Sequence, residues 1–299
     1  METTSLFNDI DLVTCPRRGL MFDVVPGMER ELDLLLHEVF EKNPYLRHGV
    51  SLKDGDCVVD LGANVGIFSA WCTQQASRLR IYACEPVPVL HHLASRNLGR
   101  IPGHEIEVSA LGVGSSNASR TLTYFPLATA CSSFHGDETI SQMPQLYSGT
   151  KISLRDLWGI HKGLFFVALL MAPIYPLVRP AVIRAVLRRA LAQSQTISCP
   201  IVSLSALMQR WGIEQIDLLK IDVQGSEVDV LEGIQDADWP RIKAIAMEVN
   251  AFLGRSGETD ICALLRARGF RVVRHDGDDV AAPGSYFVYA CRAPSESQA

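Results

Sequence analysis

One stretch constrains the fold of this chain more than any other: Cys57-Val58-Val59-Asp60-Leu61-Gly62-Ala63-Asn64-Val65-Gly66-Ile67-Phe68-Ser69. A short valine-rich run ends in an acid, two glycines follow four apart, and an apolar helical pattern begins. That order reads as strand, tight turn, helix. Gly62 and Gly66 permit a sharp bend and the approach of a ligand where a Cβ would clash. A helix starting near Val65 would point free N–H groups at that ligand. Asp60, at the strand tip, can meet a cation or a hydroxyl. A dinucleotide fingerprint requires G-x-G-x-x-G, whereas Gly62 to Gly66 spell G-x-N-x-G without the third glycine. The structural alternative is a glycine turn with no ligand role.

The rest of the chain repeats the alternation. Glu29–Phe40 carries Leu32, Leu35, Leu36 and Val39 at helical spacing, so residues 1–50 read as a helical approach segment to a domain over 51–299. Strands are expected at Arg80–Cys84, Glu105–Ser109, Ser198–Leu204, Ile216–Asp222, Ile242–Val249, Phe270–His275 and Tyr286–Cys291. Helices are expected after Pro88, up to Trp211, after Glu227 and over Glu258–Arg268. Thr121–Phe125 reads as a hairpin arm, residues 126–150 as polar turns, and 293–299 as a frayed tail. Alternating β and α elements imply a mostly parallel α/β sheet with helices on both faces. The two late strands suggest an antiparallel C-terminal edge. A hydrophobic content of 47% fills such a core, and a net charge of −5 argues against nucleic acid as a partner. Eight scattered cysteines without a C-x-x-C pair read as reduced thiols. The N-terminal residues lack a signal-peptide pattern. A cytoplasmic location follows as the expectation.

The acid-G-x-N-x-G pattern resembles motif I of S-adenosylmethionine (SAM) methyltransferases. With Glu85-Pro86, Ala110-Leu111, Asp217-Leu218-Leu219-Lys220-Ile221-Asp222-Val223-Gln224-Gly225-Ser226-Glu227 and Val230-Leu231-Glu232-Gly233, the chain is similar to the FkbM family of SAM-dependent methyltransferases. The last block is the more specific. Glu38–Asp56 and Asp238–Lys243 look like a subgroup found near nonribosomal peptide and polyketide synthesis. The resemblance implies a Rossmann-like class I methyltransferase fold, SAM as cofactor, and transfer to a hydroxyl oxygen. It departs from the family pattern at Gln224, where a Glu is usual, and at Asn250, where relatives often have His.

Open α/β sheets bind ligands beyond the carboxyl ends of their strands. Asp60, Gly62, Ala63, Asn64, Gly66, Glu85, Ala110 and Leu111 are the expected cofactor residues, with Glu85 accepting from ribose hydroxyls. Asp222 is the first candidate for the base that takes the acceptor proton, and His135 the second. As structural residues, Asp222 would hold the next loop and His135 would be a polar loop side chain. Glu248 and Asn250 fall on the acceptor side. Asp222, Glu248 and Asn250 could also offer oxygens to Mg2+, but the reading adopted is metal-free. Glu227 complements its own helix N-terminus. The expected partner is a small-molecule hydroxyl acceptor of the natural-product type. The alternatives are a sugar or lipid hydroxyl at a membrane, a nicotinamide oxidoreductase, and a noncatalytic SAM-binding protein.

One segment, Asp156 to Gln195, falls outside the resemblance. No acid occurs between Asp156 and Glu214, while Lys162, Arg179, Arg184, Arg188, Arg189 and Arg210 are basic. Leu164–Met171 is apolar but too short to span a bilayer. Pro180–Gln193 reads as a helix with proline in its first turn. Val182, Ile183, Val186, Leu187, Ala190 and Leu191 form its apolar stripe. The 162–193 stretch could pack against the domain, cover the acceptor site as a lid, or lie on an anionic membrane.

Overall fold

The computed structural model describes residues 11–147, 175–257, 259–277 and 283–292. The chain enters through an antiparallel hairpin, β1 (Val13–Arg17) and β2 (Leu20–Val24), which the sequence pattern does not announce. Helix α1 (Glu29–Leu36) follows where expected and continues as a π-helical segment, His37–Lys42. Buried Phe22, Val24, Leu32 and Leu36 join Phe68, Trp71 and Leu90 in one apolar cluster. The N-terminal segment is therefore packed into the domain core.

The core alternates β3 (Cys57–Leu61), α2 (Ile67–Gln75), β4 (Arg80–Cys84), α3 (Pro88–Leu98) and β5 (Glu105–Ser109). In β3, Val58 joins the cluster on one face, while Cys57, Val59 and Leu61 join the cluster on the other. A strand with both faces covered reads as a continuous apolar run, and that is why this one was legible. After β5 the chain leaves the main sheet through β6 (Gly112–Val113) and β7 (Ala118–Tyr124). The expected hairpin arm is this β7, but its antiparallel partner is β8 (Gln195–Val202), about 70 residues later by sequence number. Between them lie α4 (Gly136–Leu146), where polar turns were expected, and α5 (Tyr175–Leu191).

Helix α5 begins before Pro180 and carries that proline internally, which corrects the expected first-turn placement. Its Leu191 is buried with Met143 of α4 and with Phe125. The apolar run Leu164–Met171 lies outside the described residues, as does the tail 293–299. Among the described residues, no helix is long and apolar enough to cross a membrane.

The chain returns to the sheet through α6 (Leu204–Arg210), β9 (Leu218–Ile221), α7 (Glu227–Glu232), β10 (Ala244–Asn250), α8 (Ile261–Ala267), β11 (Arg271–His275) and β12 (Ser285–Cys291). The seven-stranded order is β11-β12-β10-β9-β3-β4-β5. Strand β12 runs antiparallel to both neighbours, so the antiparallel strand sits one place in from the edge and β11 forms the edge itself. The connection order reverses between β3 and β9, which are paired in parallel. That switch point places the loops after Leu61 and Ile221 side by side. All eight cysteines are free thiols.

Candidate active site

The turn after β3 is closed by its own hydrogen bonds. Gly62 N and Ala63 N both donate to Cys84 O at 3.0 Å, and Gly66 N donates to Ala63 O at 2.8 Å. Asn64 N donates to Glu85 Oε2, and Val65 N to Asn64 Oδ1, each at 2.8 Å. Every backbone N–H from Gly62 to Gly66 is thus engaged. The turn itself therefore offers no free N–H group to a ligand, and the helix N-terminus expected near Val65 begins at Ile67.

The glycines make the sharp bend expected of them, and each also meets protein where a Cβ would stand. Gly62 has φ +80°, and a Cβ there would lie 1.9 Å from the Asp222 carbonyl oxygen. It is glycine because the β9 loop passes against it. Gly66 caps α2 with φ +88°, and a Cβ there would press on Leu98 of α3 at 2.9 Å. Gly66 does not line a cleft.

Asp60 requires a further correction. Its side chain is fully buried, accepts from Ser69 Oγ at 2.7 Å, and pairs with Lys220 Nζ at 3.0 Å. It faces its own core, and the cation it meets is a lysine. Lys220 also donates to Gly62 O at 2.7 Å and stands 3.8 Å from Asp222. Its ammonium lies 5.8 Å from the centre of the Phe68 ring and 5.9 Å from that of Tyr45. Burial works against this charge, but Asp60 and Asp222 more than offset it and hold the lysine above its usual range.

Two clefts open at the carboxyl ends of the strands. The first, of about 740 Å3, is lined by Gly62, Asn64, Glu85, Val87, Leu111 and Phe134, among others. Glu85 is buried here, accepting from Asn64 N and from Val87 N at 2.9 Å. Burial raises its carboxyl to about 7. Leu111 lines this cleft as expected. Ala110 is exposed and does not, and Gly112 and Val113 stand there instead. Phe134 is held by Arg120, which lies 4.9 Å over its ring and pairs with Asp229 at 2.6 Å.

The second cleft, of about 780 Å3, has walls of Val39, Tyr45, Ile67, Phe68, Met143 and Tyr147, and Ala63 lies on its border. Its charged and amide side chains are Glu38, Asn64, Lys220, Asp222, Gln224, Glu248 and Asn250. Leu35, Gly62, Asn64, Ala130, Asp222 and Gln224 line both clefts, so the two meet there. Asp222 Oδ1 accepts from Gln224 Nε2 at 2.9 Å. Gln224 itself has φ +51°, and its carbonyl accepts from Ser133 Oγ at 2.6 Å. The departure from the usual Glu thus places an amide on Asp222.

The roof of the junction comes from distant segments. Glu31 of α1 accepts from Thr129 Oγ1 at 3.1 Å and from Ala130 N at 3.0 Å, and Asn64 Nδ2 donates to the same threonine. Glu38 comes from the π-helical segment, a distortion that recurs at functional sites. Burial, then repulsion from Asp222, raises its carboxyl to about 7. Glu248 is raised well above its ordinary value by burial, Asp222 and Glu38. Sequence reasoning missed Leu35, Glu38, Tyr45, Thr129 and Lys220 as site residues. Lys220 stood inside the motif block and Glu38 and Tyr45 inside the Glu38–Asp56 resemblance, but Leu35 and Thr129 carry no local signal.

His135 does not reach the site. It lines neither cleft and packs against Gly225 and Gly254, with Nδ1 3.6 Å from Glu138. Glu227 is buried, accepts from Gly225 N at 2.9 Å, and fastens the start of its own helix. Among the described residues, no three His, Cys, Asp or Glu side chains come together as a metal site.

Residues 176–272 match the model of the methyltransferase FkbM domain. The chain is 35% identical over 245 residues to 31-O-demethyl-FK506 methyltransferase FkbM of Streptomyces tacrolimicus, covering 81% of this chain and 83% of that one. It is 25% identical over 255 residues to methyltransferase sdnD of Sordaria araneosa, covering 82% and 84%. A crystal structure of methyltransferase FkbM from Methylobacillus flagellatus aligns with a TM-score of 0.45 at 12% identity, over 83% of this chain and 47% of that one. The mostly parallel sheet with one antiparallel strand is the class I methyltransferase fold that the resemblance implies. By its sequence identity to FkbM over most of both chains, the protein belongs to the FkbM family of methyltransferases.

Proposed function

We propose that this methyltransferase binds SAM in the first cleft and methylates a hydroxyl oxygen of a small natural product held in the second. The observation that carries this reading is the meeting of the two clefts at Asp222. The residues of the first cleft suit the cofactor's chemistry. Leu90, Leu111, Val113 and Phe134 offer apolar walls to a base, and the Glu85 carboxylate stands where ribose hydroxyls can donate to it. The engaged N–H groups of the turn offer no donor to a pyrophosphate. When bound, SAM supplies a methyl carried on a positively charged sulfur and leaves as a neutral thioether.

The chain's own residues do the rest. The residues of the common border would hold the acceptor hydroxyl beside the cofactor's methyl, and positioning of this kind supplies much of the acceleration in such reactions. Asp222 accepts the hydroxyl proton as the new C–O bond forms. Lys220 and Gln224 fix its carboxylate from two sides. The names of the FkbM and sdnD relatives support methylation, and the first also names an oxygen, 31-O. Calorimetry with SAM and with NADH tests the cofactor, and only SAM should bind. Asp222→Asn should retain SAM binding while turnover falls about 100-fold or more. Normal turnover in that variant would remove Asp222 from the chemistry.

A further inference from the structure

Resting on that reading, the second cleft can be taken further. Glu248 and Asn250 lie two apart on β10 and therefore share a face, which lines the cleft, while Val249 between them joins the core behind. Asn250 is 3% exposed and its Nδ2 has no hydrogen-bond partner. A buried amide donor left unpaired costs about 1–3 kcal/mol, so it is expected to meet an acceptor atom when the cleft is filled. Glu248, 6% exposed, takes Ser285 Oγ at 2.8 Å.

The cleft's charge narrows what can supply that atom. Three carboxyl side chains, Glu38, Asp222 and Glu248, line it, and Lys220 is its sole lysine or arginine among the described residues. Lys220 is already engaged by Asp60 and by Gly62 O. An incoming carboxylate or phosphate would find no free cation and would add negative charge to a site that already resists it. An ammonium would suit the carboxyls but has no lone pair for Asn250. An alcohol has both a lone pair for Asn250 and a proton for Asp222. The walls of Tyr45, Phe68, Met143 and Tyr147 suit an apolar body.

We propose that Asn250, with Glu248 beside it, determines acceptor specificity: it holds an uncharged, oxygen-bearing acceptor, and the ring of carboxyl side chains turns anionic acceptors away.

The test uses the full chain saturated with S-adenosylhomocysteine and four probes that share one ring: benzyl alcohol, phenylacetate, benzyl phosphate and benzylamine. Ligand-observed NMR titration gives each dissociation constant. Benzyl alcohol should bind at least about tenfold more tightly than the other three. Asn250→Asp, nearly isosteric but without the donor, and Asn250→Leu should each weaken alcohol binding about fivefold or more. Glu248→Leu, which removes the carboxyl beside Asn250 and the acceptor for Ser285 Oγ, should weaken it as well. Circular dichroism melting confirms which variants are folded. If the alcohol binds no more tightly than the other probes, including the case in which none binds, the proposal is overturned. Unchanged alcohol affinity in folded Asn250→Asp or Asn250→Leu overturns it as well. Failure of SAM itself to bind the parent chain would instead overturn the cofactor reading, so the two failures are separable.

Discussion

At the scale of single residues, the motif glycine and the buried lysine hold the backbone and core together where they border the clefts. Gly62→Ala would place a Cβ against the Asp222 carbonyl oxygen at a φ that side chains disfavour. The expected loss is roughly 3 kcal/mol or more of stability, read as a lower denaturation midpoint. Loss of SAM binding should follow from unfolding, so a folded variant at native stability would contradict the geometry. Lys220→Met leaves Asp60 buried without its cation. Breaking one half of such a pair typically costs about 3–5 kcal/mol. The double variant Asp60→Leu/Lys220→Met should recover much of that loss in urea unfolding. Recovery in stability without recovery in turnover would separate the lysine's structural role from its hold on Asp222.

At the scale of elements, the entry hairpin is fastened to α3 by a buried acid. Asp23 Oδ1 accepts from Thr14 Oγ1 at 2.7 Å, and its carboxylate pairs with Arg96 and Arg100. Burial would raise its pKa, but Arg100, Thr14 and Arg96 outweigh it and hold the group at about 2 against an ordinary 3.8. The folded value is the lower one, so the stabilisation is present above pH 4 and is lost as pH falls toward 2. It amounts to roughly 2 kcal/mol. Asp23→Asn should remove that part of the acid dependence and lower stability at pH 7, as measured by denaturation across pH.

Helix α5 belongs to the same scale. Ile183 and Leu191 of its apolar stripe are buried, and Leu191 meets Met143, which lines the second cleft. Leu191→Ala should cost about 2–5 kcal/mol of stability. Acceptor turnover should fall more than SAM affinity. Because part of the stripe is engaged in packing, sedimentation with anionic vesicles should be weak and should change little when Arg184, Arg188 and Arg189 become Gln.

At the scale of the whole molecule, the parallel core was legible because its central strands β3, β9 and β10 are buried along their whole length. Val58, Val59, Leu219 and Ile221 are all buried, and that burial is what a continuous apolar run reports. The turn at Gly62, the acid at Glu85 and the block ending at Asp222 were also visible, since each sits at a strand end where composition changes abruptly. The sequence by itself therefore determined the alternation, the strand tips and the family. It could not show that Asp60 turns inward to Lys220, that His135 lies against Gly225 and Gly254, or that β7 pairs with β8. Nor could it show that Glu38 and Tyr45 converge on Asp222 from about 180 residues away by sequence number. Those outcomes depend on contacts between segments distant in the chain, and local periodicity carries no record of which segments meet. Only the tertiary structure decided which acids face a cleft and which face a buried lysine, because burial and pairing are properties of the packed whole.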